Sequence, residues 1–159
     1  MLDRITVNSH SSIRIDAGKI LYFDPFRLDS AAHDADVIFI THAHFDHFSP
    51  EDIEKAARAD TLIAAPAGMK ADLQKAGIPA ENCILLEPEQ TAEICGIPVV
   101  TVPSYNIGKP MHPKKNGWLG YVVTVEEQKI YIGGDMDATP EAAAVQCDIA
   151  MFPSAAHTL

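Results

Sequence analysis

Three of the chain's seven histidines lie within six positions, in the segment Thr41-His42-Ala43-His44-Phe45-Asp46-His47. Side chains two residues apart on an extended chain point the same way, so His42 and His44 can present both imidazoles to one metal ion. Where the chain turns toward a helix, Asp46 and His47 can reach a second ion. Neutral imidazole suits zinc, iron and similar ions, and a carboxylate adds a harder oxygen. The spacing therefore predicts a metal site, with surface histidines on a loop as the alternative.

The segment lies between two elements that would place it at the edge of a sheet. The run from Val37 to Thr41 is predominantly apolar, which is typical of a strand buried on both faces. Ser49-Pro50-Glu51-Asp52 predicts the start of a helix, with Ser as N-cap, Pro at the first helical position and acids in the first turn. Open α/β sheets bind their ligands at such strand-to-helix junctions.

The rest of the sequence alternates between short strands and two further helices. The patterns predict strands at 5–7, 12–16, 20–23, 61–65, 83–86, 90–94, 97–102, 118–125, 129–132 and 149–152, and helices at about 67–76 and 140–145. This order favours a layered α/β or α+β fold, formed by residues 1–159 as a single domain.

Composition excludes several classes of function. The chain has 12 Lys+Arg against 22 Asp+Glu, a net charge of −10, so we expect no nucleic-acid partner. No apolar run approaches the roughly 18 residues of a membrane span, and the first residues, 1–5, contain an acid and no apolar core of a signal peptide. Cys83, Cys95 and Cys147 form no C-x-x-C pair, which favours a reduced, cytoplasmic compartment.

The histidine segment resembles the signature of the metallo-β-lactamase superfamily of metal-dependent hydrolases, and more narrowly its ascorbate-phosphate lactonase-like branch. Further segments resemble that branch in the same order along the chain: Asn8-Ser9-His10-Ser11-Ser12, Phe23-Asp24-Pro25-Phe26, Met111-His112-Pro113 continuing to Tyr121, and Gly133-Gly134-Asp135-Met136-Asp137. The resemblance implies an αββα sandwich, shortened here at the C-terminus.

The resemblance also implies two divalent ions, with zinc as the first choice and manganese or iron as alternatives. It assigns the roles as follows: His42, His44 and His112 bind the first ion, Asp46 and His47 bind the second, Asp135 bridges both, and Asp24 orients a ligand by a hydrogen bond. From the residues alone, His112 in its proline-bracketed loop is better interpreted as a surface histidine, and Asp135 after two glycines and Asp24 before a proline are compatible with ordinary turns.

One expected ligand has no clear counterpart. The family's second site usually takes a further histidine from a strand near the C-terminus, and the only histidine after Asp135 is His157, which comes earlier than that ligand. We therefore treat the sequence as a fragment or as a shortened member, with His157 as a ligand or as a terminal residue. A shortened domain could cover its exposed edge by forming a homo-oligomer.

The function that follows is that of a metal-dependent hydrolase. A metal-bound hydroxide, oriented by Asp46 as the catalytic carboxylate, would attack a small ester, lactone or phosphate-bearing substrate. Lys109, Lys114 and Lys115 could hold an anionic group of that substrate or form a solvated loop. The alternatives are a non-catalytic or degenerate metal-binding domain, and a phosphodiesterase or nuclease of the same superfamily, which would need a basic groove.

Four other side chains could contribute to the site. Tyr105, Asn106 and Trp118 could shape the pocket, with the core as the alternative place for Trp118. His10 either lines the site or caps a turn, whereas His33 is expected to be solvated.

Overall fold

Two β-sheets form the framework of the part of the chain that the structure describes, residues 1–153 of a computed structural model. The first sheet has the order β1-β2-β3-β4-β5-β6, with strands Ile5–Ser9, Ser12–Asp16, Ile20–Phe23, Val37–Phe39, Leu62–Pro66 and Cys83–Leu86. The second has the order β11-β10-β9-β8-β7, with β7 to β11 at Thr91–Ile94, Ile97–Pro103, Leu119–Val125, Gln128–Ile132 and Ile149–Met151. Both sheets are mixed, because β3 to β6 pair in parallel and β11 joins β10 in parallel, while the remaining pairs are antiparallel.

Hydrophobic side chains divide the molecule into four layers. Apolar residues of both sheets, such as Leu21, Phe39, Val99 and Tyr121, form one central core between the sheets. Helices α1 (Pro50–Ala56) and α2 (Lys70–Lys75) cover the outer face of the first sheet, and α3 (Pro140–Ala143) lies against the outer face of the second. The αββα sandwich expected from the sequence is therefore confirmed.

The start of α1 anchors the chain beside the histidine segment, residues 41–47. The Ser49 hydroxyl accepts the backbone N–H of Asp52 (3.4 Å) and donates to the Asp52 carboxylate (2.7 Å). That carboxylate also accepts the backbone N–H groups of Arg27 (3.0 Å) and Leu28 (2.9 Å). Burial opposes ionisation of Asp52, but these hydrogen bonds, together with Lys55, outweigh it and lower its pKa. Asp52, which is bonded to the predicted N-cap Ser49, thus also fixes the loop that follows β3.

Several element boundaries differ from the sequence prediction: β1 is longer (Ile5–Ser9), α3 is shorter (Pro140–Ala143), and two further differences have a cause that the structure shows. The expected helix at 67–76 begins with a 3-10 turn, Ala67–Met69, and becomes α-helical only from Lys70, ending as predicted before Gly77 (φ +77°). Strand β4 ends at Phe39 rather than Thr41, because the backbone N–H of Thr41 leaves the ladder to bond the Asp24 side chain (2.8 Å). None of the described helices is long and apolar enough to cross a membrane.

Candidate metal centre

A buried carboxylate lies at the base of the site, on the turn after β3. Asp24 is 1% exposed and has a left-handed backbone (φ +45°), which brings its side chain under the end of β4. One oxygen accepts the backbone N–H of Thr41 (2.8 Å); the other accepts the Thr41 hydroxyl (2.6 Å) and Nδ1 of His47 (2.7 Å). Burial raises the pKa of Asp24, and the hydrogen bonds from His47 and Thr41 oppose that rise.

The position of Asp24 fixes which nitrogen of two imidazoles faces the site. A carboxylate only accepts, so the Thr41 hydroxyl gives its proton to Asp24 and must accept from Nδ1 of His42, 2.9 Å away. The same argument makes Nδ1 of His47 a donor to Asp24. Nε2 of both histidines therefore points away from this network, as a metal ligand requires.

His42 is held as a neutral imidazole. Burial, followed by the positive charge of His47, lowers the pKa of His42 to about 2. Its ring is 1% exposed, and among the described residues its Nε2 has no hydrogen-bond partner. A buried nitrogen without a partner is costly unless a ligand satisfies it, and an uncharged imidazole lone pair is suited to a cation.

Two further histidines converge on His42. One donor atom from each of His42, His44 and His112 lies within 4.8 Å of the other two. His112 is 7% exposed, has a left-handed backbone (φ +57°) and leaves its Nδ1 without a partner among the described residues; burial lowers its pKa. The Trp118 ring packs against all three imidazoles, with centroid separations of 4.9 to 5.1 Å. The donor set therefore fits a divalent ion bound by three imidazoles.

A second group of donors adjoins the first. Oδ2 of Asp135 lies 3.3 Å from Nε2 of His47 and 3.9 Å from Nε2 of His42, so this carboxylate lies between the two groups. Oδ2 of Asp46 is 3.7 Å from Nε2 of His47. Burial lowers the pKa of His47, but the carboxylates of Asp135 and Asp24 outweigh burial and raise it to about 10. All six residues proposed as ligands from the sequence thus lie together.

Asp24 also lies within 4.8 Å of donors of His42 and His47, but its oxygens are already hydrogen-bonded, which agrees with the orienting role.

Gly134 brings Asp135 this close to the end of β4, and Gly133 before it lies against the Phe152 ring after β11. A Cβ on Gly134, which has φ +67°, would lie 3.0 Å from Cβ of Thr41 and 3.3 Å from the Ser104 hydroxyl oxygen. A Cβ on Gly133 would lie 2.4 Å from the Phe152 ring. Ser104 donates to the carbonyl of Gly133 (2.8 Å), which fixes this turn on the second sheet. Only residues without a side chain allow the backbone this approach.

A cleft of about 800 Å³ opens above the second group of donors. It is lined by Asp46, His47, His112 and Asp135 together with the β1–β2 turn at His10, the segment that precedes His112, and Asp137. His10 both lines the cleft and occupies the turn, where Ser9 contacts its Nδ1 (2.9 Å) and Phe26 packs edge-on at 5.3 Å.

The lysines predicted beside His112 have different surroundings. Lys109 lines the cleft but pairs with Asp137 (2.6 Å), whereas Lys114 pairs with Glu141 (2.6 Å) and does not line it. Lys115 is exposed. Exposed His33 contacts the carbonyl of Ala57 through its ring (2.9 Å).

Sequence reasoning missed two contributors to the site. Thr41 links Asp24 to His42, and its only signal was its position directly before the first histidine. Asp137 holds the backbone of the loop before His112, and nothing local distinguished it from a solvated acid. Trp118, for which core and pocket were both open, lies against the histidines. His157 lies outside the described residues.

Comparison with known proteins agrees with this geometry. A family model described as a beta-lactamase superfamily domain matches residues 4–158. A UPF0173 metal-dependent hydrolase from Methanosphaera stadtmanae is 30% identical over 170 residues, covering 94% of this chain and 71% of the relative. A crystal structure of a candidate metal-dependent hydrolase from Parabacteroides distasonis superposes with a TM-score of 0.76 at 27% identity, covering 92% of this chain and 67% of that one.

The chain therefore belongs to the metallo-β-lactamase superfamily. Other relatives are longer: the chain spans 32% of an uncharacterized Mycobacterium tuberculosis protein at 26% identity, and 60% of a UPF0173 metal-dependent hydrolase from Rubrobacter xylanophilus at 28% identity.

Proposed function

We propose that residues 1–159 form one metal-dependent hydrolase domain whose first cation is held by His42, His44 and His112. The observation that carries this proposal is the convergence of three imidazoles, each with one donor atom within 4.8 Å of the others, together with buried nitrogens of His42 and His112 that have no partner among the described residues. A structural role for three neighbouring imidazoles would normally satisfy those nitrogens with hydrogen bonds.

A second cation would be held by Asp46 and His47, with Asp135 shared between both ions. The position of Asp135 Oδ2 between His42 and His47 supports the shared role. Zinc is our first choice because imidazoles dominate the donor set, and manganese or iron would also accept these donors. Two bound ions would bring a charge of about +4 against the two carboxylates, so the loaded site would attract an anionic group despite the acidic chain.

Bound divalent ions would lower the pKa of water toward neutrality and polarise a carbonyl or phosphoryl oxygen. The chain's own residues supply the orientation. Asp24 and Thr41 hold His42 and His47 with Nε2 toward the cations. Asp46 lines the cleft and would orient the attacking water by accepting a hydrogen bond from it. Trp118 packs on the three imidazoles and limits their movement.

The substrate we propose is a small ester, lactone or phosphate-bearing molecule. A cleft of about 800 Å³ has the size of a small-molecule site. Asn106 and Lys109 line it and could bind a carboxylate or phosphate, with Lys109 exchanging its contact to Asp137 for the substrate. The resemblance to ascorbate-phosphate lactonase-like proteins favours a lactone or phosphate ester within this class.

Elemental analysis and hydrolysis assays test the proposal together. The wild-type protein, purified without added metal and then dialysed against zinc, should hold two ions per chain and hydrolyse at least one of p-nitrophenyl acetate, a simple lactone or bis-p-nitrophenyl phosphate. His42→Ala should lose bound zinc and about 100-fold or more of kcat/KM.

His33→Ala is the matched control, because the His33 ring also makes a hydrogen-bond contact, to the carbonyl of Ala57, but His33 belongs to neither group of candidate donors. It should keep both the zinc and the activity. If His42→Ala retains both as well, the metal assignment is wrong. Zinc binding without any hydrolysis would favour the non-catalytic metal-binding alternative.

A further inference from the structure

Two loops carry the candidate ligands that are distant from the histidine segment. The loop from 104 to 118, between β8 and β9, carries His112; the loop from 133 to 139, between β10 and α3, carries Asp135. Asp137 joins them. One carboxylate oxygen of Asp137 accepts Lys109 Nζ (2.6 Å), the other accepts the backbone N–H of Ile107 (2.9 Å), and its own N–H donates to the carbonyl of Tyr105 (3.1 Å).

A second set of contacts joins the same loop to α3. The Tyr105 hydroxyl donates to Oε2 of Glu141 (2.8 Å), and Lys114 donates to Oε1 of the same carboxylate (2.6 Å). Lys114 Nζ also lies 5.0 Å from the centroid of the Tyr105 ring. The loop is therefore held at residues before and after His112, and each contact connects it to the segment that follows Asp135.

The geometry of His112 depends on how this loop is held. Its tip is exposed, with Ile107 54% and Met111 61% accessible, so it packs on little of the core. Inside the loop, the backbone N–H of Asn106 donates to the carbonyl of His112 (2.8 Å). Asn106 lies between Tyr105 and Ile107, the two residues whose backbones Asp137 binds, so the position of Asp137 is passed to the backbone of His112.

We propose that Asp137 is a positioning residue for the cation site: it holds the loop so that the His112 imidazole stays beside His42 and His44 and beside Asp135. The inference rests on the proposed function, because it concerns affinity for the cation. A half-buried carboxylate that contacts none of the candidate ligands thereby sets how well the His112 donor is placed.

Zinc titration of the metal-free protein tests this, with the fluorescence of Trp118 as the readout, since it is the chain's only tryptophan and contacts three of the ligands. Asp137→Ala should weaken zinc binding about tenfold, the lower end of the effect of residues that orient ligands. Asp137→Glu should restore much of the affinity. Lys109→Met, which removes the ion pair and keeps the backbone bond, should have a smaller effect.

Asp148→Ala is the matched control. Asp148 likewise accepts a backbone N–H, that of Lys129 (2.8 Å), and donates its own N–H to the carbonyl of the same residue (2.8 Å), but at the opposite end of β10 from Gly133. It should leave zinc affinity unchanged, with a melting temperature similar to that of Asp137→Ala. Equal zinc affinity in the two alanine variants would overturn the proposal, as would a loss at Asp137 that Glu does not restore.

Hydrogen exchange of the metal-free proteins gives a readout that does not require zinc. Asp137→Ala should speed exchange within residues 105–112 and leave the strands protected. Unchanged exchange there would overturn the positioning role, whereas failure of the wild-type protein to bind zinc would overturn the proposed function. The two failures are therefore separate.

Discussion

Thr41→Val removes the hydroxyl that links Asp24 to His42 while keeping the shape of the side chain. Two hydrogen bonds are lost, at 2.6 Å to the Asp24 carboxylate and at 2.9 Å to Nδ1 of His42. A hydrogen bond to a charged group contributes about 1.5–3 kcal/mol and a neutral one about 0.5–1.5 kcal/mol, so the free energy of unfolding of the metal-free protein should fall by about 2–4.5 kcal/mol. Because nothing then holds the proton on Nδ1, zinc affinity should fall about 10–100-fold.

Urea unfolding measures the first effect, and zinc titration followed by Trp118 fluorescence measures the second. Thr41→Ser is the control, since it keeps the hydroxyl and loses only a methyl group; it should retain zinc affinity and cost about 1 kcal/mol of stability. If Thr41→Val binds zinc with the wild-type dissociation constant, the hydroxyl does not orient His42 and the argument from hydrogen-bond direction is refuted.

Three predictions concern stability. Gly134→Ala places a Cβ 3.0 Å from Cβ of Thr41 at φ +67° and should cost about 2–4 kcal/mol in urea unfolding, against about 1–2 kcal/mol for Gly77→Ala, which has φ +77° and open space; equal losses would exclude close packing as the cause. Asp52→Asn should lower the free energy of unfolding above pH 3.8, the ordinary pKa of this carboxyl group. The stability difference between variant and wild type should disappear as the pH falls through the lowered pKa of Asp52 in the folded state, and a difference that is independent of pH would contradict this. Glu127→Gly should raise the free energy of unfolding by about 0.5 kcal/mol, because Glu127 has φ +65° in a two-residue turn. Urea unfolding should therefore give a higher midpoint than in the wild type, and a lower midpoint would contradict this.

Local patterns were sufficient where a single element determines the outcome. The histidine segment was located between a buried strand and a capped helix from neighbouring residues alone, although the extended backbone assumed through His44 ends earlier, with β4 at Phe39 and a turn at 45–47. The N-cap at Ser49 follows from the same kind of signal. The layer order required the family resemblance in addition, since short strands do not show how they pair.

Contacts between distant segments were beyond such reasoning. The roles of His112 and Asp135 came from the resemblance alone, because each lies in a loop whose position depends on tertiary contacts. Thr41 and Asp137 act through hydrogen bonds to residues far along the chain, at Asp24 and Ile107, and no local pattern encodes those partners. Strand β4 was predicted too long for the same reason. The Asp24 side chain, in the turn after β3, accepts the backbone N–H of Thr41 in place of a neighbouring strand.

Anomalous diffraction at the zinc edge from crystals soaked in zinc tests the central claim most directly. We predict a peak about 2.0–2.1 Å from one nitrogen each of His42, His44 and His112. A map in which zinc binds only elsewhere on the protein, with no peak between these three imidazoles, would contradict the assignment of the site.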